Sequence, residues 1–317
     1  MKTEFRLKIA DVIIGFRSEY PLEAMDAPER RFLSAGRFDG TAYEGRGRSH
    51  IVVDVKVVPR LPRLGRAKLV FKTCHYQDGE ENWRLWEKEG GFIFTCSLRE
   101  RKQLMKVNRS FDRVTAYLLA RPRKGRLWDV SSIIYDFLQV LMIVHLAQRR
   151  EGVFLHAAGI KDSAGRGMIF AGKSTAGKST TAKRWHREPG AAVLNDDRVI
   201  VRKRGGRFRM YGSPWHGDFF DYIASCPETG PVDDMFFIRH AGANAVAPIA
   251  LEKIIERLYP VTFPAFWDKT CLENILDFCQ DMARNVPCFD LGLRKGPSSI
   301  AFVRRFMKKK HEPVPMR

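Results

Sequence analysis

The chain has 317 residues, and its 55 Lys and Arg against 36 Asp and Glu leave a formal net charge of +19. With 44% hydrophobic and 29% charged residues it can bury a sizeable core, which excludes disorder as the dominant state. At roughly 100–200 residues per domain, the length points to two domains, or one large α/β domain with an added module. The opening MKTEFRLKIADVIIGF starts with charge, is broken by Asp11 and is followed by no small-residue cleavage site, so export is not expected and the cytoplasm is. Residues 1–129 read as a β-rich module. Ile51–Val58 begins with alternating character, 68–76 and Gly91–Leu98 are short apolar runs, and Pro59, Pro62, Gly65, Asp78-Gly79 and Gly90-Gly91 separate them. Nothing in this module has the residue types of a catalytic site.

After the basic, turn-like stretch 122–125, a second domain is expected over 130–317. It begins with a helix at 130–150, with capping candidates Ser131 and Ser132 and an end at Gln148, Arg149, Arg150 and Gly152. Its apolar part, 133–147, contains Asp136, Gln139 and His145. It is too short and too polar for a bilayer span of about 20 residues, so it reads as a buried helix and no membrane span is expected. A strand at 153–160 contains His156, and the polar turn KDSAGRG leads to a second strand at 168–171. A glycine-rich loop and a short helix follow, stopped by Pro189-Gly190. The strand at 192–197 ends in Asp196 and Asp197, and 199–212 is a hairpin turning at Gly205-Gly206. Leu251–Leu258 and 272–284 have helical patterns, and 286–293 is a late strand. The alternation makes a mixed α/β unit, with no internal repeat and no low-complexity tract.

The basic residues are spread along the chain, at Arg30-Arg31, Arg46, Arg48, 99–102, 121–126, 202–209 and 304–310, and no zinc-finger, helix-turn-helix or RNP-like pattern accompanies them. A diffuse positive surface attracts any anion, ATP or an acidic protein included, so specific nucleic-acid binding is not expected. The terminal RRFMKKKH reads as a solvated helix end. Cys74, Cys96, Cys226, Cys271, Cys279 and Cys288 form no C-x-x-C pair and no zinc spacing, which fits reduced and mostly buried thiols.

The chemistry is concentrated in GKSTAGKST. It matches the phosphate-loop pattern G-x-x-x-x-G-K-[ST] in two frames, 172–179 and 167–174. A phosphate-cradling loop needs a strand before it and a helix N-terminus after it, so that N–H groups and the helix dipole converge on the anion. Only the first frame supplies this, with MIFA as strand and KSTTAKRWHR as helix; the second would turn an apolar β-type run into the loop. The chosen frame assigns Gly172, Lys173, Ser174, Thr175, Ala176, Gly177, Lys178, Ser179 and Thr180 to nucleotide binding. Gly172 and Gly177 allow close backbone approach, Lys178 reaches the β and γ phosphates, and Ser179 coordinates Mg²⁺. ATP and Mg²⁺ are the cofactors implied.

Asp196 and Asp197 follow Lys178 after a helix and a tight turn, a spacing that suits neighbouring strands opening onto one phosphate crevice. One carboxylate there can hold metal while the other accepts a proton from a hydroxyl, which suggests phosphoryl transfer or hydrolysis; without the loop, a turn cap would be the better account. His156 taken alone reads better as a core histidine; the company of the loop and the acidic pair makes an active-site place equally good.

Together these segments, LHAAG with His156, FAGKSTAGKSTTAKRW, and VLNDDRVIV, resemble the catalytic domain of HPr kinase/phosphorylase, whose fold is related to the ATP-dependent phosphoenolpyruvate carboxykinases. The likeness is nearest to divergent HPr-kinase-like proteins encoded beside peptide-maturation genes, which share the YGSPWHG-like segment, and it covers about 130–217. The resemblance implies an α/β P-loop domain with a mixed sheet behind a β-rich N-terminal module. It also implies His156 at the active site, Lys178 on phosphate, Asp197 as acid/base, and Asp196 with Ser179 on the metal side. The glycine-rich signature that HPr kinases carry after the Asp-Asp strand is replaced by YGSPWHGD, so neither HPr as substrate nor the reverse reaction carries over. Trp215 and His216 there either line an acceptor site or pack the hairpin end.

The expected function is an ATP-dependent kinase acting on a serine-type hydroxyl of a peptide, small protein or small molecule. The alternatives are a catalytically silent ATP-binding regulator and a nucleic-acid-associated NTPase, against which the short Lys178-to-Asp196 spacing argues. A homo-oligomer is compatible with the sequence, but no motif specifies one.

Overall fold

In a computed structural model, residues 3–23, 30–38, 41–43, 49–74, 81–98, 101–121, 126–217, 226–294, 296 and 298–311 are described. The expected breaks at Asp78-Gly79 and 122–125 lie outside them. The architecture is mixed α/β, and contacts divide it into two compact units: Met1–Glu151 with Pro264–Asn274, and Gly152–Phe263 with Ile275–Arg317.

The first unit is built on a ten-stranded sheet. In chain order its strands are β1 (Thr3–Ile9), β2 (Val12–Ser18), β4 (Leu33–Phe38), β5 (Thr41–Tyr43), β6 (Ile51–Val58), β7 (Lys68–Cys74), β8 (Glu81–Lys88), β9 (Gly91–Leu98), β10 (Arg101–Asn108) and β11 (Arg113–Leu119). They lie in the order β5-β4-β1-β2-β6-β11-β10-β9-β8-β7, parallel at β2–β6 and β6–β11 and antiparallel elsewhere. The short β3 (Leu22–Glu23) and β12 (Trp128–Asp129) form a separate parallel pair. Along β6 Ile51, Val53, Val55 and Val57 are buried on one face, while Val52, also buried, Asp54 and Lys56 point to the other.

The expected helix at 130–150 is a π-helical turn, Ile133–Leu138, running into α1 (Gln139–Gln148). It belongs with the first unit because its apolar face packs there. Phe137 meets Phe94 edge-on with ring centroids 4.7 Å apart, and His145 Nδ1 lies 3.4 Å from the Phe111 carbonyl. The sequence boundary before residue 130 and the contact boundary after Glu151 therefore differ by this helix.

The second unit carries β13 (Gly152–Lys161), β14 (Gly167–Ala171), α2 (Lys178–His186), β15 (Ala192–Asn195), β16 (Arg198–Arg204), β17 (Arg207–Tyr211), β18 (Thr229–Pro231), β19 (Asp234–His240), β20 (Ala245–Pro248), α3 (Leu251–Leu258), β21 (Cys288–Leu293) and α5 (Ser298–His311); α4 (Lys269–Asn285) straddles the contact boundary. The sheet order is β18-β17-β16-β13-β14-β19-β21-β20, and β15 pairs with the far half of β13. β14, β19 and β21 are mutually parallel, so their C-terminal ends share one edge. On one face of the sheet, Ala182 and Trp185 of α2 and Ile300, Val303 and Met307 of α5 close a core over Phe170, Phe236 and Leu291. Phe170 and Phe236 stack at 5.2 Å. Each such buried side chain contributes about 1.5–3 kcal/mol, enough for this core to hold α2, and with it the glycine-rich loop, in place.

Of the thiols, Cys96, Cys271, Cys279 and Cys288 are buried and free. Burial pushes the last three up to about 12, so they are unreactive. No helix among the described residues is long and apolar enough to cross a membrane.

Candidate functional site

The site is laid out on either side of Ala157. On one side Ala157 pairs with Ala171, the last residue of β14, after which the chain enters the loop at Gly172. On the other, the Ala157 amide donates to the Asp197 carbonyl at 3.3 Å. At the usual strand spacing of about 4.8 Å, the loop entry and the acidic pair are two strands, or about 10 Å, apart across β13. His156 precedes Ala157, pairs with Arg198, and so stands between them.

The loop is shaped by a few contacts. Gly177 takes φ 104°, which a side chain resists, and it opens α2 without a side-chain cap. The first-turn amides of that helix, which have no intrahelical acceptor, are thus left for an anion. Thr175 has φ 68°, an uncommon conformation for a β-branched residue, and its carbonyl accepts from His240 Nε2 at 2.8 Å. The Lys178 ammonium donates to the carbonyls of Gly172 at 3.0 Å and Lys173 at 3.1 Å. Ala176 packs against the core beneath.

The acidic pair sits one step beyond β15, in a bend that Asn195 builds. Its Oδ1 accepts the amides of Asp197 at 2.8 Å and Arg198 at 2.6 Å, while its Nδ2 donates to the carbonyls of Ser213 and Trp215, each at 2.9 Å. The expected strand at 192–197 therefore stops at Asn195, and both carboxylates leave the ladder.

The two carboxylates then part. Asp197 turns to a cavity of about 530 Å³, which is also lined by His156, Ser174, Thr175, Gly177, Lys178, Ser179, Thr180, Arg198, Gly217 and Phe263. Its Oδ1 accepts from His156 Nε2 at 2.9 Å, and its Oδ2 from Arg198 Nη1. Burial raises the Asp197 pKa, but the His156 hydrogen bond and the charges of Arg198, His156 and Lys178 outweigh it and hold the carboxyl below its ordinary range. Asp196 is fully buried behind this wall. Its Oδ1 accepts the Gly217 amide at 2.9 Å, and its Oδ2 has no hydrogen-bond partner among the described residues. Burial raises its pKa, the Asp197 charge adds to the rise, and the Gly217 amide and Ser179 hydroxyl oppose it. Lys178 is lowered, chiefly by burial, with Arg198 adding to the effect and Asp197 and Asp196 working against it.

Lys178, Ser179, Asp197 and His156 thus share one cavity, with Asp196 just behind it; Gly172, Lys173 and Ala176 shape the loop from outside the cavity wall. Trp215 is buried, with its ring 5.7 Å from Phe154, so it packs; His216 Nδ1 bonds its neighbour's carbonyl at 2.8 Å. Sequence reasoning missed Asn195, Arg198, Gly217 and Phe263. Arg198 lies 4.4 Å above the Phe263 ring, which reaches the site through the Phe263 amide bond to the Phe154 carbonyl.

A family model described as SynChlorMet cassette protein ScmC matches residues 126–295, more than half of the chain. The chain belongs to the ScmC family. The matched segment contains every site residue just described, from His156 to Phe263. No curated protein matches the chain.

Among the described residues no group of three His, Cys, Asp or Glu could cage a metal. The orphaned Asp196 Oδ2 beside the Ser179 hydroxyl fits a different donor set, one carboxylate and one hydroxyl, with the remaining positions left to phosphate and water, as suits Mg²⁺.

Proposed function

We propose that this protein is an ATP- and Mg²⁺-dependent phosphotransferase, a P-loop domain of the HPr kinase and phosphoenolpyruvate carboxykinase type, acting on a serine-type hydroxyl of a peptide, small protein or small molecule. The observation that carries the reading is the meeting of Lys178 and Asp197 in one cavity, from opposite sides of Ala157. A site that uses ATP fits a protein working in the cytoplasm.

In this reading the phosphates lie on the uncapped amides of α2, and Lys178 exchanges its bonds to the Gly172 and Lys173 carbonyls for phosphate oxygens. Asp196 and Ser179 would hold Mg²⁺, which would supply neutralisation of phosphate charge. The acceptor hydroxyl gives its proton to Asp197 as its oxygen bonds to the γ phosphorus. The bond from that phosphorus to the β,γ-bridging oxygen breaks, and ADP leaves. Asp197 is suited to receive the proton because His156 and Arg198 keep it ionised and fixed in direction. Phe263, with Arg198 stacked 4.4 Å over its ring, forms one wall of the cavity.

The test is incubation with γ-labelled ATP and candidate peptide and small-molecule acceptors, comparing the parent with Lys178→Ala and Asp197→Asn. Transfer by the parent that falls a hundredfold or more in each variant is expected. Label transfer undiminished in Asp197→Asn removes that residue from its role. Lys178-dependent ATP binding with no phosphorylated product replaces the kinase with an ATP-binding regulator, and hydrolysis stimulated by DNA or RNA replaces it with a nucleic-acid-associated NTPase.

A further inference from the structure

The outward face of the ten-stranded sheet carries two hollows that adjoin. One, of about 390 Å³, is lined among others by Lys88, Lys106, Arg113 and Asn108; the other, of about 460 Å³, by Arg17, Lys56 and Tyr20. Asp54 and Thr115 line both, so the hollows form one groove running across β2, β6, β11, β10 and β9. Register accounts for the grouping, because Asp54 pairs with Arg17 on one side and Thr115 on the other, and Thr115 pairs with Lys106.

Four of the groove's cations, Arg17, Lys56, Lys88 and Lys106, carry no ion pair among the described residues, and Lys106 only overlies the Tyr117 ring at 5.6 Å. Elsewhere in the same unit Lys8, Arg30, Arg109 and Arg149 each pair with a carboxylate. Four exposed cations without an ion pair among the described residues therefore gather on one polar sheet face, beside Arg113, which donates to the Asp112 carbonyl at 3.0 Å.

We propose that this groove docks an extended acidic peptide segment, independently of whether the other unit transfers phosphate. A peptide fits better than a nucleic acid. Glu19, Asp54 and Glu89 are interleaved with the cations, and Asp54 lies at the centre, where a chain carrying a charge on every nucleotide would be repelled. A peptide can meet the cations with spaced carboxylates and turn backbone N–H groups to Asp54.

The test uses the full chain and a fluorescein-labelled decapeptide of alternating Glu and Ser, read by anisotropy at low and physiological salt. Binding that weakens with salt is expected, falling at least tenfold in Lys56→Glu/Lys106→Glu/Arg113→Glu. The control Lys253→Glu/Lys269→Glu/Arg207→Glu, with the same change of charge, should bind as the parent does. The neutral set Lys56→Gln/Lys106→Gln/Arg113→Gln should also lose affinity and guards against misfolding of the reversal variant. Equal loss in the control shows diffuse charge only and overturns the proposal, as does equal binding of a Gln-Ser decapeptide. A single-stranded RNA decamer that binds more tightly than the peptide, and is lost in the same groove variants, overturns it in favour of a nucleic-acid surface.

Discussion

The Asn195 carboxamide oxygen accepts the Asp197 amide at 2.8 Å from a side chain that is itself wholly buried, so the direction of the cavity carboxylate is set from inside the core. The same carboxamide ties this bend to Ser213 and Trp215. Asn195→Ala would remove the acceptor of the Asp197 and Arg198 amides and one donor to each of the Ser213 and Trp215 carbonyls at once. With roughly 1–3 kcal/mol for each buried group left unpaired and some relaxation, a loss of about 3 kcal/mol is expected, together with most activity. Urea unfolding of the variant checks this, and a loss under about 0.5 kcal/mol would mean that the bend holds itself.

Gly217 approaches the acidic pair so closely that a Cβ there would stand 3.1 Å from both Asp196 Oδ2 and Asp197 Cβ. Gly217→Ala should therefore shift the carboxylates by a few tenths of an ångström without removing any charge. Given the steep dependence of transfer on alignment, turnover should fall roughly tenfold or more while ATP affinity holds. Steady-state kinetics separates the two, and an unchanged turnover number would show that the pair tolerates displacement.

The buried Asp196 gives a stability signature. A carboxyl whose pKa is raised on folding favours the folded state while protonated, and that advantage is lost as pH rises from about 3.9 through the raised value. Deprotonation of Asp196 in the fold is thus a burden that Asp196→Asn relieves. The variant should melt a few degrees above the parent at pH 7, with the gap closing near pH 4. Added Mg²⁺ with ATP should stabilise the parent more than the variant. A variant that melts lower at pH 7 than at pH 4, relative to the parent, contradicts this account.

What the sequence disclosed and what it withheld follow from range. The loop and the acidic pair were legible because each is contiguous and carries its own strand and helix signals. His156 became readable only beside them. Asn195 looked like an ordinary residue within the strand at 192–197 because its partners, Ser213 and Trp215, arrive from a later hairpin, and Phe263 comes from beyond α3 through a single bridge next to Leu155. The β1–β2 hairpin was hidden for a local reason: Ala10 and Asp11 take φ 47° and 62°, conformations usually announced by Asn-Gly, and no glycine marks the turn. The early strands Ile51–Val58 and Gly91–Leu98 stood out because their apolar runs end at Pro or begin at Gly. Their assembly into one ten-stranded sheet depends on pairings such as β2–β6 that no local pattern encodes.

His145 supplies a test of the first unit that does not involve the proposed chemistry. It is buried on α1, and burial, with the Arg149 and His50 charges assisting and the Phe111 carbonyl and Glu151 opposing, lowers its pKa to about 4. A histidine held neutral in the fold lends stability that is fully present above the unfolded value of about 6.5 and is lost as pH falls toward the folded one. At about 1.36 kcal/mol per pH unit, the window between them holds about 3 kcal/mol. Urea unfolding at pH 7 and pH 4.5 should show the parent losing about 2–3 kcal/mol more than His145→Gln, which has no imidazole to protonate. Carboxylates common to both proteins cancel in that difference, so equal losses would mean that the imidazole takes up its proton without leaving the core.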